Sequence, residues 1–399
     1  MNIVLINQFF PPAQAPTGLL LADLAAALAA RGHAVAVIAS AAGYGAEAGA
    51  GRVPEAGLQI VRIGPAGRHR SGIAAKLRDY LFFYRGAWKE LERLSPPPDV
   101  LVLMTTPPFI GLLGAHRRKR QGTPYVLWCM DLYPEALAAH GFLRDWNPLK
   151  PLLRQLAREE RRRASAVVAP GPDMAARVAA SGAGRVAEIP VWSAAGADPG
   201  AQAAARELRR VRGWAEDEIV LLYSGNMGRA HRAEEFAALA EGLRGASARC
   251  RFVFSGDGPA RAGWQRRWGD RFEFMSPVAA DVRDAHLLAA DVHLVSQQTA
   301  WRGVVVPSKF QAACALGRPV VFAGPPDSAI GVWLKEADAG WVVPPGDAAA
   351  LAAAACGIRD GAVRSEKGAR ARRLFERRFT QTANCAMLVH LIEQVAQER

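Results

Sequence analysis

Short apolar runs alternate with longer amphipathic segments along the whole chain. The first run, residues 2–7, is followed by a turn rich in Gly and Pro and then by a helical pattern over residues 19–30. A second apolar run over residues 33–40 completes a strand–helix–strand unit. The chain is therefore expected to begin with a βαβ motif.

The same alternation continues to the end of the chain. Further apolar runs with the length of strands occupy residues 100–104, 125–129, 164–169, 188–192, 219–224, 251–255, 292–296 and 319–322. Because continuous apolar strands separated by helices are typical of parallel sheets covered on both faces, the pattern predicts an α/β fold with two doubly wound halves.

A loose stretch rich in Ala, Gly and Pro, residues 193–200, separates the two sets of strands. We expect an N-terminal domain over residues 1–192, this linker, and a C-terminal domain over residues 201–375. The final segment follows a helical pattern from residue 362, and its last part, residues 376–399, either stays on the second domain or crosses back to the first. Doubly wound sheets bind ligands at the carboxyl ends of their strands, so we expect a site in a central cleft that the two domains face.

Composition excludes several classes of protein. Half of the 399 residues are apolar and 22% are charged, which is unlike a disordered chain or a coiled coil. No apolar run reaches the roughly 18–20 residues of a membrane-spanning helix, and the first ten residues predict a strand rather than a signal peptide. Five scattered cysteines without a Cys-x-x-Cys pair argue against a disulfide framework or a metal site and for a reducing compartment.

The formal net charge of +13 favours an anionic partner. Nucleic acid, a phosphorylated substrate and an acidic membrane surface all fit this charge, and an arginine-rich composition accounts for part of it. No nucleic-acid-binding motif accompanies it, so we expect no nucleic-acid partner. The dinucleotide fingerprint, the P-loop and the common hydrolase motifs are also absent from the sequence.

Two glycine-containing loops follow predicted strands and precede helices. Gly18 lies at the start of the first helix, where a ligand could approach backbone N–H groups, although an ordinary strand–helix turn explains it equally well. Residues 223–232 (YSGNMGRAHR) combine Gly225 and Gly228 with Arg229 and Arg232. Backbone donors beside guanidinium groups predict a phosphate site in this second loop.

Two further loops of the second half carry candidate ligand groups. Gly256, Asp257 and Gly258 follow another strand and form either a tight turn or a close approach to a ligand. Ser308 and Lys309 precede a helix predicted over residues 310–316, where N–H groups and an ammonium group favour an anion. A plain N-cap is the alternative role of Ser308.

Acidic residues of the first half follow the strand at residues 125–129. Asp131 and Glu135 lie where the carboxyl end of that strand is expected, so either could orient a hydroxyl group or act as a base. The alternative is that they only complement the dipole of a following helix.

A basic and aromatic amphipathic segment covers residues 76–94. Such a helix can lie in a membrane interface, and the basic runs 117–120 and 161–163 would add attraction for anionic lipid. The alternative is that its apolar face packs in the core and its charges are solvated.

Taken together, these motifs resemble bacterial glycosyltransferase family 4, of the GT-B fold, and especially members that build exopolysaccharides and O-antigens. The matching segments occur in the expected order over nearly 350 residues. They are residues 9–12 (FFPP), 31–35 (RGHAV), 131–135 (DLYPE), 223–228 (YSGNMG), 256–259 (GDGP), 306–309 (VPSK), 317–319 (GRP) and 339–347 (AGWVVPPGD).

The resemblance implies retaining transfer of a sugar from a UDP- or GDP-linked donor on the second domain to an acceptor on the first, without a metal ion or another cofactor. It places Asn226 and Arg232 at the donor diphosphate and Ser308 and Lys309 at the distal phosphate and sugar. It also implies that Gly225 and Gly228 shape the donor loop.

The chain departs from the family at two positions. Many members carry two glutamates where this sequence has Val304 and Ala312, and the nearest polar substitute is Gln311. We therefore expect either a cytoplasmic transferase bound to the inner face of the cell membrane and acting on a lipid-linked saccharide, or a non-catalytic GT-B subunit that binds membrane or a partner transferase. A nucleotide-sugar epimerase is the third alternative.

Overall fold

The computed structural model describes residues 1–13, 15–43, 58–68, 73–196, 199–244 and 249–398. Three predicted segments extend beyond these ranges, because Gln14 of the first turn, residues 197–198 of the linker and Arg399 lie outside the described residues. The chain divides into two compact units. The first comprises Met1–Pro190, Gly303–Val305 and Gln381–Arg399, and the second comprises Val191–Arg302 and Val306–Thr380.

The first unit contains a seven-stranded sheet whose strands are all parallel, in the order β3-β2-β1-β4-β5-β6-β7. Its strands are β1 (Asn2–Ile6), β2 (Ala34–Gly43), β3 (Leu58–Arg68), β4 (Val100–Met104), β5 (Tyr125–Trp128), β6 (Ala166–Ala169) and β7 (Val186–Glu188).

The second unit contains a six-stranded parallel sheet in the order β10-β9-β8-β11-β12-β13. Its strands are β8 (Ile219–Ser224), β9 (Cys250–Ser255), β10 (Glu273–Met275), β11 (Val292–Ser296), β12 (Val320–Ala323) and β13 (Gly340–Val343).

Apart from the connection between β2 and β3, which lies outside the described residues, helices connect successive strands within each unit, as is usual for parallel sheets. They are α1 (Pro16–Ala30), α2 (Ile73–Arg93), α3 (Gly111–Gln121), α4 (Glu135–Ala139), α5 (Leu149–Arg163), α6 (Pro172–Ala180), α7 (Pro199–Val211), α8 (Glu234–Leu243), α9 (Arg261–Trp268), α10 (Arg283–Leu288), α11 (Lys309–Ala315), α12 (Ala329–Ala337), α13 (Ala348–Arg359), α14 (Gly361–Arg378) and α15 (Gln381–Gln397).

The strands that the sequence marked most clearly lie at the centre of each sheet. All five residues of β4 are buried, and β8, β11 and β12 are buried along almost their whole length. Buried central strands read as unbroken apolar runs, which is why their limits could be predicted. Three strands were not predicted. In β3 polar residues and glycines interrupt the apolar ones, β10 has only three residues, and β13 begins with a glycine.

Two chain segments differ from their expected secondary structure. The apolar run over residues 188–192 contributes only Glu188 to the sheet, because β7 ends there and the following Pro190 has no N–H to donate. The helical pattern from residue 362 onward forms two helices, α14 and α15, rather than one. The first, α14, belongs to the second unit, and α15 belongs to the first.

Helix α15 packs within the first unit beside α1. Asn384 is buried and its side chain donates a hydrogen bond to the Pro190 carbonyl oxygen over 2.9 Å. On the exposed side, Arg31 forms a two-point ion pair with Glu393, at 2.8 and 3.0 Å. The last helix therefore completes the layer that covers one face of the first sheet.

Candidate functional site

The loops that follow β8 and β9 pack directly against each other at the carboxyl edge of the second sheet. The Gly225 N–H donates to the Ser255 carbonyl oxygen at 2.8 Å, and the Met227 N–H donates to the Asp257 carbonyl oxygen at 2.7 Å. These backbone bonds fix the predicted phosphate loop at a sheet edge where α/β proteins bind ligands.

Two glycines make this close packing possible. Gly256 has a φ of +140°, and a Cβ atom there would lie 2.0 Å from the Gly225 carbonyl oxygen. Gly258 has a φ of +141°, and its Cβ would lie 2.4 Å from Oδ1 of Asn226. Both positions therefore require glycine for packing between loops. Contact of Gly256 and Gly258 with a sugar donor remains a prediction. Contact of the exposed Asp257 with the donor also remains a prediction.

Lys309 reaches back from the start of α11 to the loop after β8. Its Nζ donates to the Asn226 carbonyl oxygen at 3.2 Å and lies 3.2 Å from Nε2 of His231. It also lies 4.9 Å from the centre of the Tyr223 ring, within cation–π range. The structure thus brings together Asn226, which the family resemblance places at the donor diphosphate, and Lys309, which it places at the distal phosphate and sugar. The two residues lie about 80 positions apart in the sequence.

The protonation of His231 follows from its partners. Its Nδ1 lies 2.7 Å from the Ser296 carbonyl oxygen, which can only accept, so Nδ1 carries the proton. Nε2 is then the free acceptor toward Lys309. Burial and, second, the charge of Lys309 lower the pKa of His231 to about 3, so the ring stays neutral. Sequence reasoning gave no role to His231, because a lone histidine in a loop carries no signal of its own.

Lys309 is a half-buried cation. Burial lowers the pKa of Lys309 to about 7, and no carboxylate within the described ranges forms an ion pair with it. A cation without a counter-ion in such surroundings costs free energy, which an anionic ligand can recover. Two of its three N–H groups have protein acceptors, so the third is available to a ligand.

The two arginines of this loop differ in their surroundings. Arg232 is half-buried, and its Nε donates to Oε2 of Glu235 over 2.6 Å. Its backbone N–H also donates to Oγ of Ser296 at 3.1 Å. Arg229 is exposed beside the glycine loop. Glu235, which sequence reasoning did not single out, therefore holds Arg232, and it also lines a cavity of about 380 Å³ beyond the end of β13.

Ser308 and Gln311 lie on either side of Lys309 in the sequence and have opposite environments. Ser308 is exposed at the N-cap position of α11, but its side chain makes no capping hydrogen bond. Gln311 is fully buried, and neither end of its amide has a hydrogen-bond partner within the described ranges. Residues two positions apart point to different sides of a helix, so Gln311 does not face the same way as Lys309.

The two positions that lack the family's glutamates are apolar and packed. Val304 is 1% exposed, and its carbonyl oxygen accepts from the Leu132 N–H at 3.0 Å within the first unit. Ala312 packs against the core of the second unit. Neither position offers a group that can hydrogen-bond a hydroxyl.

Asp131 follows β5 at the carboxyl edge of the first sheet. Oγ1 of Thr105 accepts its backbone N–H at 3.3 Å and that of Met130 at 2.9 Å, which fixes the turn. Burial raises the pKa of Asp131 to about 6. The negative charge of this carboxylate contributes to the raised pKa values of Tyr80 and Tyr133, for which burial is the larger cause. A carboxylate with this pKa at a strand end can accept a proton near neutral pH.

Glu135 has a structural partner. Its two carboxylate oxygens accept hydrogen bonds from Arg161, at 3.2 and 3.1 Å, and Arg161 also donates to the Tyr133 carbonyl oxygen at 2.7 Å. Burial favours the neutral form of Glu135, but the hydrogen bonds and charge of Arg161 outweigh it and lower the pKa. The pair holds the turn after Asp131, and a direct role for Glu135 stays a prediction.

Gly18 is buried near the start of α1. A Cβ atom at this position would lie 3.1 Å from the backbone carbon of Phe9 and 3.2 Å from the Phe10 backbone. The close approach at Gly18 is therefore made by the preceding loop of the chain itself, and contact with a ligand there stays a prediction.

The amphipathic helix α2 carries apolar residues on both sides. Phe83, Ala87 and Leu91 are buried in the core of the first unit, whereas Leu77, Leu81 and Phe82 are 56%, 69% and 58% exposed. The core therefore accounts for only part of its apolar surface. No described helix is both long and apolar enough to span a bilayer.

The first member of each predicted basic run is buried rather than exposed. Arg117 donates to the Leu91 carbonyl oxygen at 2.8 Å, and Arg161 pairs with Glu135. These two guanidinium groups are structural, so only the later members of each run are available to an anionic surface.

Comparison with known proteins agrees with this architecture. A model of the glycosyl transferase 4-like domain matches residues 18–192, and a model of glycosyl transferases group 1 matches residues 218–360. A search of the curated proteins finds no match.

Solved structures with the same fold cover the whole chain. Sucrose-phosphate synthase from Thermosynechococcus elongatus is similar at a TM-score of 0.77 and 18% identity, covering 100% of both chains. Anabaena HepE in complex with UDP-glucose is similar at 0.68 and 15% identity, over 99% of this chain and 100% of the other. WaaG, a glycosyltransferase involved in lipopolysaccharide biosynthesis, is similar at 0.67 and 16% identity, over 98% and 99% of the two chains.

The two family models match consecutive parts of the chain, one in each sheet-containing unit, and confirm the resemblance at the level of the family. The predicted α/β fold with two parallel-sheet domains is also confirmed. The chain is a glycosyltransferase of the GT-B fold, with a family 4-like first domain and a group 1 second domain.

Proposed function

We propose that this glycosyltransferase moves a sugar from a nucleoside diphosphate donor to a lipid-linked or saccharide acceptor during the synthesis of a surface polysaccharide. The reaction retains the configuration of the sugar and uses no metal ion. The observation that carries the proposal is the half-buried ammonium group of Lys309, which is held by Asn226 and His231 and has no carboxylate partner within the described ranges.

Lys309 stabilises the departing diphosphate. Negative charge grows on the diphosphate as the bond to the sugar breaks, and a fixed cation in a partly dehydrated site stabilises such charge more than water does. His231 and the Asn226 carbonyl oxygen hold the ammonium group in place beforehand, so little reorganisation is needed when the charge develops. Arg229, Arg232 and Ser308 are proposed to contact the same diphosphate from neighbouring positions.

The nature of the donor is supported by the similar structures. HepE was solved with UDP-glucose and WaaG acts in lipopolysaccharide biosynthesis, so a UDP-linked sugar and a role in a surface polysaccharide are the first choices to test. A GDP-linked sugar is the other donor that we propose to compare. Because the side chains at 304 and 312 are apolar and Gln311 is fully buried, main-chain groups would have to replace the hydroxyl contacts of the absent glutamates, and a donor contact of Gln311 stays a prediction.

Asp131 is the proposed acceptor-orienting group. Its carboxylate lies at the carboxyl edge of the first sheet, and its pKa of about 6 leaves it mostly ionised at neutral pH. Asp131→Asn should lower kcat with the acceptor and leave donor binding unchanged. Equal losses of donor binding and turnover would contradict this role.

A membrane-associated acceptor is supported by the exposed side of α2. Leu77, Leu81 and Phe82 lie beside the exposed basic residues Arg78 and Arg85, a combination typical of helices that lie in the interface of an anionic membrane. We propose that the protein binds the inner face of the cell membrane through this surface. Leu81→Ser/Phe82→Ser should reduce co-sedimentation with anionic vesicles, whereas Met387→Ser, at an exposed apolar residue of α15, should not.

Isothermal titration of the full chain tests the donor proposal directly. UDP-glucose and a GDP-sugar are titrated into the wild type, Lys309→Ala and the control Lys367→Ala. Lys367 is also a partly buried lysine of the second unit near an aromatic ring, but it pairs with Asp338. We expect binding that weakens about 10- to 150-fold in Lys309→Ala and stays unchanged in Lys367→Ala. No binding of either donor at millimolar concentration would refute the proposal.

A non-catalytic subunit is the second candidate, because two positions that are glutamates in many relatives are Val304 and Ala312 here. The discriminating measurement is slow hydrolysis of the donor without acceptor, followed by identification of the released sugar. Hydrolysis that Lys309→Ala abolishes would dismiss this candidate. Donor binding without any turnover would favour it.

A further inference from the structure

A cavity of about 760 Å³ opens at the amino edge of the first sheet. Its walls come from the turns that lead into β5, β6 and β7, including Pro124, Ser165 and Arg185. Asp131 follows the other end of β5, so the cavity lies at the edge of this sheet opposite to the proposed acceptor chemistry. Neither the donor site nor the acceptor site explains it.

Basic side chains dominate the lining of this cavity. They are Arg118, Lys119, Arg162, Arg163 and Arg185. Within the described ranges, Glu398 is the one carboxylate among the lining residues. Helices α3 and α5 end here, and each helix end contributes about half a negative charge, which the basic residues of its last turn complement. Glu159, which is not part of the lining, also pairs with Arg162 and Arg163. Five cations therefore face two carboxylates and two helix ends, and their positive charge still exceeds the negative charge that these supply.

The guanidinium groups are held in position. Nη1 of Arg118 donates to the Arg163 carbonyl oxygen at 2.6 Å and to Oγ of Ser165 at 3.0 Å. Nη1 of Arg185 donates to Oε1 of Glu398 at 2.9 Å, and its Nη2 donates to Oε1 of Gln394 at 2.6 Å. Arginines fixed in this way lose little conformational freedom when they bind an anion.

Donor groups remain for a ligand. The Nε and Nη2 groups of Arg118 have no protein acceptor in the part of the chain that the structure describes, and Lys119 has no ion-pair partner there. Parallel N–H groups of a guanidinium match the oxygens of a phosphate, and several converging cations suit more than one phosphate group. The volume of the cavity lies in the range of small-molecule sites.

We propose that this cavity binds a compact anion that carries two or more phosphate groups. The anion is either a soluble polyphosphate compound or the headgroup of a phosphate-bearing lipid, since both present the same oxygens to the arginines. The inference does not depend on the identity of the sugar donor or on Lys309.

Calorimetric titration with tripolyphosphate tests the inference. The parent is the full chain with Lys309→Ala, so that the proposed donor site does not contribute. The cavity variant adds Lys119→Ala/Arg162→Ala to this parent. The control variant instead adds Arg206→Ala/Arg266→Ala, which removes the same charge from exposed positions of the second unit. We expect Kd to rise by about tenfold or more in the cavity variant and by less than about twofold in the control. Equal changes in both variants would overturn the inference.

Vesicle co-sedimentation with a phosphatidylinositol bisphosphate in phosphatidylcholine identifies the source of the phosphate, and all chains compared carry Leu81→Ser/Phe82→Ser so that the proposed membrane surface of α2 does not contribute. Loss of tripolyphosphate binding in the cavity variant, with vesicle binding retained, supports a soluble ligand. Loss of vesicle binding supports a lipid headgroup. If neither measurement separates the cavity variant from the control, the inference is wrong.

The test of the cavity can fail without affecting the proposed function, and the test of the proposed function can fail without affecting the cavity. With Lys309 intact, Lys119→Ala/Arg162→Ala should bind the nucleotide sugar as the wild type does. Thermal unfolding of each variant should match its parent, because neither Lys119 nor Arg162 is buried.

Discussion

Donor binding should weaken as the pH rises from 6 to 8, because Lys309 must be protonated to hold the diphosphate. In the free protein burial lowers the pKa of Lys309 to about 7. A bound diphosphate stabilises the ammonium form and raises this pKa again, so binding takes up a proton. The other groups that face Nζ do not titrate in this range, since His231 has a pKa of about 3 and burial raises that of Tyr223 well above 10.

The magnitude follows from the protonated fraction of Lys309. About nine-tenths of a group with a pKa near 7 is protonated at pH 6 and about one-tenth at pH 8, so the apparent Kd should rise about tenfold, or about 1.4 kcal/mol. The direction of this pH dependence is that of a cation whose pKa is lowered in the free protein and raised again in the complex. The affinity for the donor is therefore fully present below pH 7 and declines above it.

Calorimetry at pH 6, 7 and 8 measures this effect. A nucleotide sugar is the suitable ligand, because its diphosphate has no terminal group that titrates in this range. In Lys309→Arg the guanidinium stays charged, so the pH dependence should disappear. Lys309→Ala should lose both the dependence and about 10- to 150-fold in affinity, the value of one hydrogen bond to a charged group. The same pH dependence in wild type and Lys309→Ala would refute the reasoning.

Three further predictions concern stability. Glu135→Gln leaves the buried Arg161 without a counter-charge and should lower the free energy of unfolding by about 3–5 kcal/mol in denaturant titrations, whereas Glu159→Gln, at a half-buried ion pair, should change it far less; equal effects would contradict the pairing. Gly256→Ala places a Cβ 2.0 Å from a carbonyl oxygen and should cost more than Gly346→Ala, where φ is also positive but nothing lies within 4 Å, and the reverse order of melting temperatures would contradict this packing. Gln311→Met removes an unpaired buried amide and should leave stability unchanged or raise it by about 1 kcal/mol; a large loss would show that the amide has a partner in the folded protein.

The central part of the fold could be predicted because buried strands carry their signal locally. The limits of β4, β8 and β11 follow from unbroken apolar runs. The signal weakens toward the edges, where polar residues and glycines interrupt the apolar ones in β3 and β13 contains Gly340. Edge strands bury less surface, so their sequences are less constrained.

The candidate site was only partly accessible to sequence reasoning. Glycines and basic residues after β8 predict a phosphate loop, and Lys309 could be singled out from its helix start. The contact of Lys309 with His231, 78 residues away, depends on the pairing of β8 with β11 and on the position of α11, which no local spacing encodes. The burial of Arg161 could likewise not be predicted from the basic run that contains it, because its partner Glu135 lies on a different helix.

The return of α15 to the first unit has a consequence for the synthesis of the protein. Leu21, Leu24 and Leu28 of α1 are fully buried, and α15, which is made much later, packs beside α1. A nascent chain that has reached residue 380 has both sheets but still lacks this cover, so its first domain should remain dependent on chaperones until the seventeen residues of α15 emerge from the ribosome. For the same reason, a fragment that ends at Pro190 should gain solubility when residues 381–397 are supplied with it.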